Sequence, residues 1–244
     1  MVRKTPRRRV VVTGSGIVSP LGLGVEDNWK ALQEGRSGLG KITLFDATGF
    51  PTKIAGEVKD FDFRKISPHA DKLPHSGRNT QFAVAAAQMA YTQAGLDRCD
   101  YDPFRMGVYL GSGEGGQDFF NFVDVILKSS DGSSVSSATF LKLGAKRFQA
   151  LKEIEQEPNM PAGHLATVFR AYGPNSNCLT ACAASSQAIG EATELIRLGK
   201  ADIVLSGGTH SMIHPFGMAG FNLLTALSTW KEEPTRASRP FDRK

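Results

Sequence analysis

Cysteine is scarce in this chain: three residues in 244, at Cys99, Cys178 and Cys182. An odd and sparse set excludes a disulfide framework. It also excludes a zinc finger or ribbon, because Cys178 and Cys182 have no second pair nearby. Long hydrophobic runs are missing as well. No stretch approaches the ~18 apolar residues of a membrane helix, and no signal-peptide pattern is present. These absences lead to the expectation of a cytoplasmic, globular protein with no membrane partner. Acidic residues are absent before Glu26. Arg3, Lys4, Arg7, Arg8 and Arg9 occupy that stretch and account for the whole net charge of +5, since the other 24 basic residues are matched by 24 acids. Binding to nucleic acid needs a basic face carried by the fold. A neutral body behind a basic tip offers none, so no nucleic-acid partner is expected. Residues 1–9 read as a disordered, solvated tail.

Glycine is the residue in excess. Its 26 copies are well above the usual ~7% and predict tight turns and close backbone contacts. Between them the pattern is α/β. Arg9–Thr13 (Arg-Val-Val-Val-Thr) reads as a buried strand ended by Gly14. Glu26–Glu34 reads as a helix closed by Gly35, and Thr52–Val58 as a short strand. The Ala-rich stretch 79–94 reads as a helix stopped by Gly95. Met106–Leu110 is a second strand, followed by the turn Gly111-Ser-Gly-Glu-Gly-Gly116. Helical patterns cover 117–128, 140–156 and 162–171, with a Ser/Gly loop at 129–137. Asn175–Thr180, Ala183–Leu198 and Ala201–Leu205 then read as strand, helix and strand, the last closed by Gly207-Gly208. That order is a βαβ unit and implies parallel strands with a right-handed crossover.

Cys182 stands where the strand of that unit meets its helix. A thiol there faces the free N–H groups of the first turn and the positive end of the helix dipole, which favour the reactive thiolate. The small neighbours Ala181, Ala183 and Ala184 leave room for a substrate, and the Cys182 N–H offers a donor to an oxyanion. The carboxyl edge of parallel strands is also where α/β folds bind ligands. The alternative is a small buried hydrophobe, the usual fate of a free cysteine; Cys178, inside the strand, fits that description. His164 lies at a helix start, in a structural setting. His210 and His214 follow the Gly207-Gly208 turn and are candidates to approach the thiol. The histidines form no metal-ligand pattern with nearby carboxylates. Gly14-Ser-Gly-Ile-Val-Ser19 lacks the third glycine of a dinucleotide loop. Gly111, Gly113 and Gly116 match its spacing, with Asp131 at the distance of a ribose ligand. Yet Asp131 falls in a Ser/Gly loop and Glu114 would oppose a pyrophosphate, so close packing is the preferred reading and no cofactor is expected.

Several linked motifs carry a resemblance. They are Val-Val-Val-Thr-Gly-Ser-Gly-Ile-Val-Ser-Pro-Leu-Gly (10–22), the glycine turn at 111–116 and Asn-Met-Pro-Ala-Gly-His-Leu (159–165). Leu-Thr-Ala-Cys-Ala-Ala (179–184), Ala-Asp-Ile-Val-Leu-Ser-Gly-Gly (201–208) and Ala-Ser-Arg-Pro-Phe-Asp (237–242) complete the set. Together they resemble the β-ketoacyl-[acyl-carrier-protein] synthases, the condensing enzymes of fatty-acid and polyketide synthesis. The resemblance implies a thiolase-like α/β fold, of which residues 10–244 are the N-terminal half, with a mostly parallel mixed sheet and layered helices. It implies that Cys182 takes an acyl chain from acyl carrier protein as a thioester. A malonyl-loaded carrier protein then loses CO2 and attacks that thioester to give a 3-oxoacyl product. Ala181, Gly217 and Phe221 are carried over as residues lining the acyl chain. Glu114 falls at a pocket position where the family often has an apolar residue, and His210 where it commonly has an acid. Thr225 replaces an Arg that often meets carrier protein, while Lys72 and Arg78 offer positive charge for the same purpose.

The resemblance also implies what these residues do not contain. The family's catalytic histidine pair, its active-site lysine, its glycine-rich gating loop and a second oxyanion donor come from a C-terminal half, absent from this sequence. The segment 129–158 fits the family poorly, in a region that usually serves the dimer contact. The expectation is therefore a partial form that works as a homodimer or as a heterodimer with a synthase-like subunit. A non-catalytic partner or scaffold is the alternative from another class, and a nucleotide-binding oxidoreductase the third.

Overall fold

Strand Met106–Ser112 is the axis around which the first of two units is built. In this computed structural model residues 8–242 are described. In chain order the short strands β1 (Val18–Ser19), β2 (Gly22–Leu23), β3 (Leu39–Lys41) and β4 (Ile54–Gly56) come first, followed by β5 (Met106–Ser112), β6 (Asn175–Cys178) and β7 (Ile203–Thr209). The helices are α1 (Val25–Gln33), α2 (Phe63–Ile66), α3 (Arg78–Gln93), α4 (Phe119–Ser129), α5 (Ser137–Arg147), α6 (Ala150–Glu153), α7 (Met160–Val168), α8 (Ala184–Arg197) and α9 (Pro215–Leu223). One unit takes residues up to Val12, Ser67–Val84 and Cys99–His210; the other takes Thr13–Ile66, Ala85–Arg98 and the residues from Ser211 on. The basic tail expected over 1–9 lies outside the described residues up to position 7.

In the first unit β5 is paired on both sides, in the order β6-β5-β7, with all pairs parallel. Parallel strands covered on both faces carry apolar residues on both. Met106, Val108 and Leu110 are buried, and Tyr109, on the alternate face, packs with Cys178, Ala184 and Ala188. Helix α8 contacts all three strands and α7 contacts β5 and β6. The expected parallel arrangement of the β6-α8-β7 unit is present, but β5 lies between its two strands. A strand from earlier in the chain fills that place, which adjacency in sequence does not reveal.

Three expectations need correction. Arg9–Thr13 forms no strand: it is irregular, with Val11 and Val12 exposed. β-Branched residues favour a pleated, half-buried surface, and no partner strand pairs with this segment among the described residues. β7 does not stop at its glycines but runs through them to Thr209. The helix expected over 140–156 is broken. α5 ends at Arg147, Phe148 is extended, and its ring packs beneath Gly144 and against Phe140. α6 and a 3-10 turn, Ile154–Gln156, follow.

The second unit holds the antiparallel pairs β1-β2 and β3-β4 and the Ala-rich second half of α3. Gly14 and Gly16 lie so close to the Ala90 and Ala86 carbonyls that a Cβ at either would overlap them. That close approach explains the glycines of 14–16 without a phosphate. Buried Glu57 accepts from the Thr43 hydroxyl at 2.6 Å and from the Thr43 and Leu44 N–H groups at 2.8 and 3.1 Å. Burial works to raise its carboxyl, but the three donors prevail and hold it below the ordinary value. Among the described residues no helix is long and apolar enough to cross a membrane.

Candidate active site

The chain leaves β6 at Cys178, passes Leu179 and Thr180, and makes a 3-10 turn, Ala181–Ala183, before α8 starts. Ala181 adopts φ +49°, the left-handed region. A residue with a Cβ is held there at a cost of about 1–2 kcal/mol, and such outliers gather at functional sites. The turn separates two cysteines. Cys178 is buried and donates its thiol to the Ala184 carbonyl at 3.2 Å, which fits its reading as core. Cys182 is exposed. No side chain caps the start of α8, and no acid occupies its first turn. The N–H groups there stay available to a thiolate or an oxyanion.

The register of the sheet sets what stands beside this turn. Gly111 of β5 is aligned with Cys178 on one side and with Gly208 of β7 on the other. The first turn of α8 presses on both glycines. A Cβ at Gly111 would stand 2.6 Å from the Ala184 oxygen and the Ser185 nitrogen, and one at Gly208 would stand 2.6 Å from the Ser185 Cβ. Only glycine admits the helix this close to the strand ends. Beyond the same row the chain reaches Glu114 after β5 and His210 after β7. The His210 Nε2 lies 3.9 Å from the Glu114 carboxylate. The glycines at 111–116 thus serve close packing. Asp131 is occupied by its own loop, where the Ser134 and Ser133 N–H groups hold its carboxyl down at about 2.

A buried glutamate and a half-buried histidine support the glycine turn from behind. The Gly115 N–H donates to the Gln156 carbonyl at 3.0 Å, and a Cβ at Gly115 would overlap the Glu155 carbonyl. The Glu155 side chain is buried and meets the His164 Nε2 at 2.7 Å. His164 is therefore structural, as its helical setting suggested. The sequence does not reveal this partner, because the eight intervening residues run from the end of a 3-10 turn into α7 along a path that no local signal sets.

In the second unit Gly217 and Phe221 fall one helical turn apart on α9, Gly217 buried and Phe221 about one-third exposed. The His214 Nδ1 accepts from the Gly217 N–H at 3.3 Å and so caps α9. His210 therefore meets Glu114, while His214 has a capping task. Among the described residues no cluster of His, Cys, Asp and Glu is arranged to hold a metal ion.

Comparison with known proteins gives this geometry a context. The family model described as "Beta-ketoacyl synthase, N-terminal domain" matches residues 7–243. The chain is 37% identical over 237 residues to a 3-oxoacyl-[acyl-carrier-protein] synthase 2 of Vibrio harveyi, covering 97% of this chain and 54% of that protein. It is 38% identical over 242 residues to the protein of the same name from Synechocystis sp., covering 97% and 54%. The chain thus spans about half the length of the curated relatives it matches. Among solved structures, a type II polyketide-synthase acyl-carrier protein in complex with its ketosynthase matches with TM-score 0.73, 28% identity and coverage of 94% and 52%. The ishigamide ketosynthase/chain length factor matches with TM-score 0.74, 31% identity and coverage of 91% and 52%. A β-ketoacyl synthase from Burkholderia phymatum matches with TM-score 0.74, 29% identity and coverage of 96% and 54%. The thiolase-like, layered α/β fold expected from the sequence is the fold of these neighbours.

Proposed function

The chain belongs to the β-ketoacyl synthase family, and from that premise we propose that it carries the acyl-accepting half of a 3-oxoacyl-[acyl-carrier-protein] synthase. The Cys182 thiolate attacks the thioester carbonyl of an acyl-loaded carrier protein. The carrier sulfur leaves as a thiolate and takes a proton from solvent, and the acyl chain remains on Sγ. A malonyl thioester then loses CO2, and the carbanion so formed attacks the Cys182 thioester. The carbon–carbon bond forms, Sγ leaves as thiolate, and a 3-oxoacyl thioester departs. The N–H groups at the head of α8 oppose the charge that develops on the thioester oxygen in both attacks. Ala181 lines the chain where it leaves Cys182, and Glu114 borders it.

One observation carries this reading: an exposed Cys182, set by a left-handed Ala181 at the uncapped head of a helix, at the carboxyl edge of parallel strands. The partners follow from the relatives. One solved neighbour is a ketosynthase held with its acyl-carrier protein, and another pairs a ketosynthase with a chain length factor. An acyl carrier protein and a second synthase-like chain are proposed here on that support. The same pairing supports the second reading, a non-catalytic partner subunit; the retained Cys182 favours catalysis. Two exposed free thiols, Cys99 and Cys182, fit a reducing, cytoplasmic setting. The test is alkylation by iodoacetamide. Cys182 is expected to react well ahead of Cys99 in the folded protein. Equal rates would remove Cys182 as nucleophile.

A further inference from the structure

Thr180 stands directly before the turn that carries Cys182, where a hydroxyl ordinarily bonds back to its own chain. Serine and threonine oxygens accept from the N–H two residues on, in competition with other uses of that N–H. This chain does so repeatedly. The hydroxyls of Ser19, Ser37, Ser67, Ser130 and Ser228 accept from the N–H groups of Leu21, Leu39, His69, Gly132 and Trp230 at 3.0 to 3.3 Å. For Thr180 the corresponding N–H is that of Cys182.

Thr180 departs from the pattern. It is the N-cap of the 3-10 turn Ala181–Ala183, yet its side chain caps nothing. Its hydroxyl donates instead to the Gln187 Oε1 at 2.8 Å. Gln187 lies on α8 one turn past Ala183. Helical side chains lean toward the helix N-terminus, so the amide reaches back over the head of α8. The Thr180 carbonyl accepts from the Ala183 N–H at 3.1 Å. The Cys182 N–H is left without a hydrogen-bond partner among the described residues. Thr180 and Gln187 are both exposed, and substitution at such a surface pair moves stability little.

We propose that Gln187 is a positioning residue: it holds the Thr180 hydroxyl away from the Cys182 N–H and keeps that donor open to the thioester oxygen. The proposal rests on the acyl-transfer reading above. Without the Gln187 acceptor, the Thr180 oxygen turns to the N–H two residues on, as the serines do. An N–H already bonded to a neutral oxygen opposes the developing oxyanion less. Attack on a thioester needs that donor. Displacement of iodide from iodoacetamide does not, because no charge builds on a carbonyl oxygen there. The two reactions of one thiol therefore separate the role of the N–H from the reactivity of the sulfur.

The experiment measures acylation of Cys182 by octanoyl-pantetheine, followed by peptide mass mapping, and its alkylation by iodoacetamide in the same variants. Gln187→Leu keeps a strong helix former on an exposed face of α8. It is expected to acylate about tenfold more slowly and to alkylate within about twofold of the unaltered protein. Thr180→Val removes the competing hydroxyl and keeps the shape of the side chain. Added to Gln187→Leu, it is expected to return acylation to within about twofold of the unaltered protein. A merely structural loss would not recover in this way, since a second substitution beside the turn would deepen it. Unchanged acylation in Gln187→Leu, no recovery in the double variant, or alkylation that falls in step with acylation overturns this proposal and leaves the acyl-transfer reading standing. Failure of the unaltered protein to become acylated at Cys182 overturns that reading and this proposal with it.

Discussion

The Cα of Gly111 touches the backbone of Ala184: the carboxyl end of β5 and the first turn of α8 meet with no side chain between them. The position of Cys182 depends on this contact, because the turn that bears it runs directly into that part of α8. Gly111→Ala puts a methyl group 2.6 Å from the Ala184 oxygen. Overpacking of this kind costs about 1–3 kcal/mol. The variant is expected to unfold at lower urea concentration and to lose the selective alkylation of Cys182. Unchanged alkylation would separate the thiol's reactivity from this contact.

Ala181 gives a second prediction. Its φ of +49° suits glycine, strains alanine and is a severe outlier for a β-branched residue. Ala181→Val is expected to destabilise by about 1–3 kcal/mol and to slow acylation of Cys182 by moving the turn. Ala181→Gly is expected to leave stability within about 1 kcal/mol, because relief of strain is offset by the greater freedom of glycine in the unfolded chain. Urea unfolding of the two variants checks both.

Glu57 makes stability depend on pH. Its carboxyl sits below the ordinary value because the donors from Thr43 and Leu44 outweigh burial. A group depressed on folding stabilises above its unfolded value of about 4.3, and that stability is lost as pH falls through the folded value. Glu57→Gln replaces one accepting oxygen by a donor and is expected to cost about 1–3 kcal/mol near pH 7. The difference between variant and parent is expected to shrink below about pH 4. Urea midpoints at the two pH values measure it, and a pH-independent difference would assign the effect to shape alone.

Local signals carried much of the design to the sequence reader. The apolar runs of β5 and β7, the Ala-rich α3 closed by Gly95 at φ +70°, and the junction holding Cys182 all follow from residue type and spacing. What stayed hidden depends on distant partners. Val10–Val12 has a strand's composition and no ladder, since a strand needs a neighbour that nothing local supplies. Gly207 and Gly208 read as a stop, but in the sheet both continue β7, and Gly208 makes room for Ser185. Phe148 ends α5 through its packing on Gly144 and Phe140, a tertiary cause that helix propensity does not contain. At the site the place of Cys182 between strand and helix was legible, while the left-handed Ala181 and the Glu155–His164 pair were not. Alanine carries no mark of a positive φ, and that pair is set by the path of the intervening chain.

The central claim is that Cys182 takes the acyl group. Incubating the protein with a small acyl thioester and mapping the adduct by mass spectrometry tests it most directly. The account predicts one acyl group on Cys182, none on buried Cys178 or exposed Cys99, and no adduct after Cys182→Ala. An adduct spread equally over Cys99 and Cys182, or none on Cys182 in the folded protein, would contradict it.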